Sequence, residues 1–146
     1  MHVSPDVLDK LFEKYFVRGA VLATEMHFHS GVSKKKYLVV LNENPAESET
    51  LLFLTTSQLE FFKKHPAFKD HIIIKAGTVS FFSLETVINC NGVQCMGRIE
   101  LKKRYQEKKL DIVGNLPAEI MEKINGIVAS SRQISLRHKK IILGWK

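Results

Sequence analysis

Residues 33–41 read Ser33-Lys34-Lys35-Lys36-Tyr37-Leu38-Val39-Val40-Leu41, so that three lysines lead directly into an aliphatic segment. All five residues from Tyr37 to Leu41 are apolar or aromatic, and two of them are β-branched. This composition predicts a strand that is buried on both faces, with Lys36 at its entrance. A buried strand with a cationic entrance is suited to holding an anion.

The composition of the whole chain is typical of a globular protein with a strong positive charge. Of its 146 residues 45% are hydrophobic and 25% are charged, which predicts one domain with a single core. The formal net charge of +7 attracts polyanions, among which nucleic acid is the commonest in a cell. The sequence has no apolar run near the roughly 18 residues that span a bilayer, and no signal-peptide pattern. We therefore expect a cytoplasmic protein with no membrane partner.

The two cysteines, Cys90 and Cys95, flank the pair Asn91-Gly92, which is a strong signal for a two-residue hairpin turn. In such a hairpin the two sulfurs lie on one face as diagonal neighbours. They are then either two small buried hydrophobic residues or a redox pair. Two cysteines cannot form a zinc site unaided.

Hydrophobic periodicity predicts several short strands between two main helices. The first helix begins at Pro5, with Ser4 as its cap, and the second begins at Pro117. Apolar runs predict strands at 20–28, 37–41, 51–54, 72–74, 79–82, 86–90, 93–101 and 110–113. A short helix is predicted at 58–65, and a basic tail follows the last main helix. The charged segment 102–109 either continues the strand or forms a solvated helical turn, of which we favour the helix.

This order of elements predicts an α+β fold, built on a small, strongly curved antiparallel sheet or barrel. We expect residues 1–146 to form a single domain, with the N-terminal helix in 1–17, the barrel in 18–114, and the C-terminal helix and basic tail in 115–146. The sequence contains no glycine-rich phosphate loop, no nucleophile elbow and no histidine-glutamate zinc motif.

The first candidate site residues are Glu25, His27 and His29, which share one face of a predicted strand. Two histidines at this spacing project the same way, as a pair of metal ligands would. They also suit proton transfer or contact with a phosphate, because each titrates near neutral pH. Three ligands so close along one strand cannot easily converge on one ion. A solvated strand end with no chemical role is the remaining interpretation.

Lysines and threonines provide the second group of candidates. Lys34, Lys35 and Lys36 form either a solvated strand edge or a phosphate clamp that stabilises a phosphoryl transition state. Thr55 and Thr56 end the third strand, where their hydroxyls either donate to a phosphate oxygen or cap the following helix.

Three segments in order carry a resemblance to a known family: Arg18-Gly19-Ala20-Val21-Leu22, then Lys35 to Leu41, then Leu52-Phe53-Leu54-Thr55-Thr56. The frame resembles the MazF/PemK family of toxin endoribonucleases. The resemblance implies a small SH3-like barrel, commonly a homodimer, that cleaves single-stranded RNA without a metal or other cofactor. It also implies inhibition by an antitoxin protein that inserts into a basic groove.

The resemblance also implies a site. Lys36 falls where the family has its catalytic arginine, and Thr55 or Thr56 falls where it has its active-site threonine. His27 or His29 matches the acid or base of some members, and Thr86 falls near a position that carries serine or aspartate. Lys34 and Lys35 would contact RNA beside them.

Two positions depart from the family pattern, because Lys36 replaces the arginine and Tyr37 replaces a proline. A lysine cannot make the bidentate contact with phosphate that arginine makes. The alternative function is therefore a non-catalytic SH3-like barrel that binds nucleic acid or a protein partner. A third hypothesis is a metal-dependent enzyme built on Glu25, His27 and His29.

Overall fold

The computed structural model describes residues 4–27, 31, 33–57, 64 and 70–146, and it describes only the main chain of His27 and Ser33. These residues form four helices and six strands. In chain order the elements are α1 (Pro5–Tyr15), β1 (Ala20–His27), β2 (Ser33–Val40), β3 (Glu49–Thr56), β4 (His71–Ile74), β5 (Thr86–Gly97), α2 (Arg98–Gln106), β6 (Leu110–Asn115), α3 (Ala118–Ser130) and α4 (Leu136–Leu143). The predicted α+β class is confirmed.

All six strands lie in one antiparallel sheet with the order β4-β5-β3-β2-β1-β6. The first three strands form a meander, and β5 continues it beyond β3. The chain then crosses to the other edge, where β6 pairs with β1. As a result the starts of β2 and β5 and the ends of β1 and β3 lie at one end of the sheet.

Both faces of the sheet are covered by helices. Along β2, Leu38 and Val40 face a core that contains Phe12 of α1 and Leu101 of α2. Val39 points to the other face, where Ile124 of α3 and Ile142 of α4 complete a second core. The prediction that β2 is buried on both faces is therefore confirmed.

The predicted barrel is not confirmed, because the sheet that the described strands form is open. Its edge strands, β4 and β6, are separated by the other four strands. The sequence was interpreted as one curved sheet around a single core, whereas two pairs of helices bury the two faces separately. A sheet covered on both faces does not need to close in order to exclude water.

The predicted hairpin at Asn91-Gly92 is wrong, because both residues lie inside the continuous strand β5. Opposite β3, Leu52 pairs with Gln94 and Leu54 pairs with Asn89, so four residues of β5 face a single residue of β3. The Asn-Gly pair therefore makes a bulge rather than a turn.

The bulge gives the two cysteines different surroundings. Cys90 is fully buried, whereas Cys95 is exposed, and both thiols are free. Burial, with a smaller contribution from Asp70, raises the pKa of Cys90 to about 12. Cys90 is therefore an inert core residue, as the buried-hydrophobe interpretation predicts. The same interpretation is wrong for Cys95, which is exposed.

The helix predictions succeed where a cap signals the start. The side chain of Ser4 accepts a hydrogen bond from the amide of Val7 and begins α1, and Pro117 precedes α3 as predicted. The predicted basic tail is wrong in part, because Ser135 caps a further helix, α4. Its Ile142 is fully buried, so this short helix is held by packing.

Two other predicted strands differ from the structure. Residues 79–82 form turns, and the strand expected at 93–101 ends at Gly97, where α2 begins. The predicted helix at 58–65 lies outside the described residues, apart from Lys64. In the residues that the structure describes, no helix is both long enough and apolar enough to cross a bilayer.

Candidate functional site

A pocket of about 180 Å³ lies at the end of the sheet where β2 and β5 begin and β3 ends. Its lining includes five of the predicted site residues: Lys35, Lys36, Thr55, Thr56 and Thr86. They come from three strands that are adjacent in the sheet. Antiparallel pairing brings them together, although Lys35 and Thr86 are 51 positions apart in the sequence.

Strand alternation divides these five residues between the two faces of the sheet. Thr56 shares the face of Leu52 and Leu54, and Lys36 shares the face of Leu38, on the side of α1 and α2. The ladder between β2 and β3 ends at the pair of Leu38 and Leu54. Continued two residues further, this register puts Lys36 and Thr56 at opposite positions on one face.

Lys35, Thr55 and Thr86 belong to the other face, on which aromatic residues close the pocket. Phe82 is buried, and its ring packs edge-to-face on Tyr37 with the ring centres 5.5 Å apart. The rings of Phe81 and Phe82 are also perpendicular neighbours, 4.8 Å apart. These residues form the apolar wall of the pocket.

Two of the threonine hydroxyls are committed to the main chain. Thr55 Oγ1 donates to the carbonyl oxygen of Tyr37 at 3.0 Å, and Thr86 Oγ1 donates to the carbonyl oxygen of Leu84 at 2.9 Å. Both threonines are buried. A phosphate oxygen needs a donor, and each hydroxyl has only one proton to give. In this arrangement Thr55 and Thr86 hold the pocket together.

Lys36 differs from the two lysines that precede it. Lys34 and Lys35 are exposed, whereas Lys36 is half-buried. Burial lowers the pKa of the Lys36 ammonium, and the nearby charge of Lys34 lowers it further. A cation held in a partly desolvated position interacts more strongly with an incoming anion than one in bulk water does. Lys36 lies inside β2 rather than at its entrance as predicted, because the strand includes all three lysines.

A second, larger cavity of about 690 Å³ shares Lys35 with the pocket. Besides Lys35, α2 and the turn after it supply four basic residues to its lining: Lys103, Arg104, Lys108 and Lys109. Four carboxylates also line this cavity, those of Glu25, Glu100, Glu107 and Asp111. Arg104 reaches β1 by hydrogen bonds to Thr24 Oγ1 and the carbonyl oxygen of Glu25, at 3.4 and 3.5 Å. These four basic residues were not predicted as site residues, because the charged segment 102–109 has the composition of a solvated helix.

The predicted histidine face can be compared with the structure only in part. Glu25 is exposed, lies opposite Lys35 and lines the larger cavity. The main chain of His27 pairs with Ser33 at the end of β1. The side chain of His27 and the whole of His29 lie outside the part of the chain that the structure describes. Among the described side chains a different trio offers metal ligands: Glu49, Cys95 and His138.

No protein-family model matches the chain, and no curated protein matches it. The hypothesis of a MazF/PemK-like protein thus rests on the three sequence segments and on the grouping of residues around the pocket. The predicted dimer and antitoxin partner likewise stay predictions.

Proposed function

We propose that the chain is a metal-independent endoribonuclease that cleaves single-stranded RNA, as the MazF/PemK resemblance implies. The observation that supports it most is that Lys36 and Thr56 line one pocket, which has a cationic rim. The resemblance implies a site role for Lys36 and for Thr55 or Thr56. The proposal does not depend on a closed barrel, because β2 and β3 alone supply the pair.

The size of the pocket favours a polymer over a small metabolite. Its volume of about 180 Å³ is below the roughly 300 Å³ at which sites for complete small ligands begin. It suits one phosphodiester group with part of its sugar, while the rest of the strand lies outside. The larger cavity beyond Lys35 offers Arg104 and further lysines to the neighbouring phosphates.

The proposed reaction is attack of a ribose 2′-oxygen on the adjacent phosphorus. A base removes the 2′-proton, the new P–O bond forms, and the bond to the 5′-oxygen breaks as that oxygen takes up a proton. The products are a 2′,3′-cyclic phosphate and a 5′-hydroxyl. Lys36 stabilises the added negative charge of the pentavalent phosphate, and the Thr56 hydroxyl donates to one of its oxygens. His27 or His29 serves as the base or acid.

The proposal includes the partners that the resemblance implies. A homodimer would double the basic surface. An antitoxin protein would inhibit by covering the candidate pocket and the larger cavity. Single-stranded RNA is the favoured substrate, because its flexible backbone can place one phosphodiester in a narrow pocket. A cytoplasmic location belongs to the same proposal.

A second function is favoured because the hydroxyls of Thr55 and Thr86 already donate hydrogen bonds to main-chain carbonyls. If the Lys36 pair only binds phosphate, the protein is a non-catalytic module that binds nucleic acid. Such a module loses RNA affinity steeply as salt increases but leaves the RNA intact.

The test is incubation of a mixed-sequence single-stranded RNA with the protein in EDTA, alongside three variants. Lys36→Ala removes the cation, and Thr56→Val removes the hydroxyl while keeping the shape. Lys10→Ala makes the same charge change at an exposed position of α1 and serves as the matched control. Loss of one such stabilising contact typically costs about 10²–10³-fold in rate.

We expect Lys36→Ala to abolish detectable cleavage, Thr56→Val to slow it and Lys10→Ala to leave it unchanged, all with nearly unchanged thermal transitions. Cleavage by Lys36→Ala at the wild-type rate would remove Lys36 from the reaction. Intact RNA that the wild-type protein demonstrably binds would favour the non-catalytic module.

A further inference from the structure

We infer that Glu49, Cys95 and His138 form a zinc site at the end of the sheet opposite the candidate RNA pocket. One ligand atom from each residue lies within 4.8 Å of the other two. Glu49 begins β3 and Thr56 ends it, so the two sites are separated by about 23 Å along an extended strand of this length. The zinc site is therefore independent of the proposed ribonuclease chemistry.

The fold brings the three residues together from distant parts of the chain. Glu49 pairs with Gly97 and Leu51 pairs with Cys95, so Glu49 and Cys95 are diagonal neighbours on one face of the sheet. That face is covered by α4, which carries His138 in its first turn. The amide of His138 donates to Ser135 Oγ at 3.1 Å, so the cap of the helix fixes the main chain at this ligand.

The three ligand atoms are close to the spacing that zinc requires. Cys95 Sγ lies 3.9 Å from His138 Nε2. Ligands at normal zinc distances in a tetrahedron are about 3.5 Å apart for a sulfur and a nitrogen. Cys95 is exposed, and Glu49 and His138 are half-buried, so rotation of their side chains can make up the difference. Thiolate, imidazole and carboxylate are the ligand types of zinc, and three of them leave a fourth position for water.

A neighbouring cation, Arg137, holds the ligands together in the structure. Its guanidinium forms an ion pair with Glu49 and lies 3.2 Å from His138 Nε2. The Arg137 side chain is 66% exposed, so it can turn into solvent when a metal ion arrives. Because the guanidinium and a metal ion would share the same carboxylate and imidazole, Arg137 should compete with zinc.

A catalytic thiol is the main alternative role for this trio. The carboxylate of Glu49 contacts the thiol, whereas in a catalytic triad it would orient the far nitrogen of the imidazole. This arrangement of the three side chains favours a metal ligand, from which the ion displaces the proton.

The test is titration of the metal-free, tag-free protein with Co²⁺, followed by displacement with Zn²⁺. We expect one equivalent of Co²⁺ to give a thiolate-to-metal absorption band, which Zn²⁺ abolishes. Cys95→Ser and His138→Gln should each weaken binding by more than about 100-fold, beyond the 10–100-fold that outer contacts contribute. Cys90→Ala, which removes the buried thiol, should leave the band intact.

Arg137→Gln separates this proposal from adventitious binding, since removal of the competing cation should tighten Co²⁺ binding. Zn²⁺ should also protect Cys95 from a thiol reagent in the wild-type protein. The proposal is overturned if no band forms up to millimolar Co²⁺, if the band persists in Cys95→Ser, or if Arg137→Gln weakens binding.

Discussion

Thr55 and Tyr37 are joined by a hydrogen bond of 3.0 Å from the Thr55 hydroxyl to the Tyr37 main-chain carbonyl. The bond ties β3 to β2 one step beyond Leu38 and Leu54, the last residues that pair in the ladder between these strands. It holds β2 and β3 together where both residues line the candidate pocket. Thr55 is therefore a structural residue of the site, next in sequence to the proposed contact residue Thr56.

Thr55→Val keeps the shape of the side chain and removes the hydroxyl. Thr55 is only 4% exposed, so the Tyr37 carbonyl loses a buried donor. We expect Thr55→Val to lower the free energy of unfolding by about 1 kcal/mol and Thr55→Ser to lower it less, because serine retains the donor. Urea denaturation measures both values. Equal stability of Thr55→Val and the wild-type protein would contradict the structural role.

The pKa of Lys36 provides a direct test of its surroundings. Burial first, and the charge of Lys34 second, lower this pKa below the ordinary lysine value, so Lys36 loses its proton at a lower pH than an exposed lysine. Lys34→Gln removes the second cause and should raise the Lys36 pKa. The pKa should still lie below the ordinary lysine value, because burial remains. NMR titration of the lysine side chains measures the change. A Lys36 that titrates at the ordinary lysine value in the wild-type protein would show that it is not buried.

The two glycines Gly114 and Gly126 should respond oppositely to alanine. A Cβ on Gly114 would lie 2.6 Å from Cε1 of Phe81, which lines the candidate pocket, whereas a Cβ on the helical Gly126 would meet nothing within 4 Å. We expect Gly114→Ala to destabilise the fold by about 1–3 kcal/mol through overpacking. Gly126→Ala should stabilise it by about 0.5–1 kcal/mol. Thermal or urea unfolding measures the stability of both variants. Destabilisation by Gly126→Ala would contradict the packing of α3.

An ion-pair network between α1 and α2 should weaken in acid. Glu13 receives hydrogen bonds from Arg98 at 2.6 Å and Lys102 at 2.9 Å, which lower the pKa of its carboxyl. A lowered carboxyl pKa contributes stability above the ordinary value of 4.5, and that stability is lost as pH falls from there through the folded-state pKa. Because the carboxylate is half exposed, the contribution is about 0.2–1 kcal/mol. Glu13→Gln should be less stable than the wild-type protein at pH 7, and the difference should disappear at low pH. A difference that is the same at both pH values would contradict this.

Local signals were sufficient to predict much of the fold. The caps at Ser4 and Pro117 and the aliphatic run in β2 are properties of a few adjacent residues, and the elements they predict are present. The continuous path of β5 through Asn91-Gly92 depends instead on pairing with β3, which a local turn signal does not contain. The open sheet likewise depends on which face each helix covers.

The same distinction applies to the candidate site. The sequence suggested Lys36 and either Thr55 or Thr56 as members of one site, and all three line one pocket in the structure. It did not suggest Arg104, because a charged helix face looks alike whether it meets solvent or lines a cavity. Nor did it relate Glu49, Cys95 and His138, which are 46 and 43 positions apart and meet only in the folded chain.

The most direct test of the proposed function compares one oligonucleotide in two forms, all-ribose and all-deoxyribose, each incubated with the protein in EDTA. The proposed reaction requires the 2′-hydroxyl and no metal ion. We predict that only the ribose form is cleaved and that mass spectrometry finds 2′,3′-cyclic phosphate and 5′-hydroxyl ends. Cleavage of both forms, or intact ribose strands that the protein has bound, would contradict it.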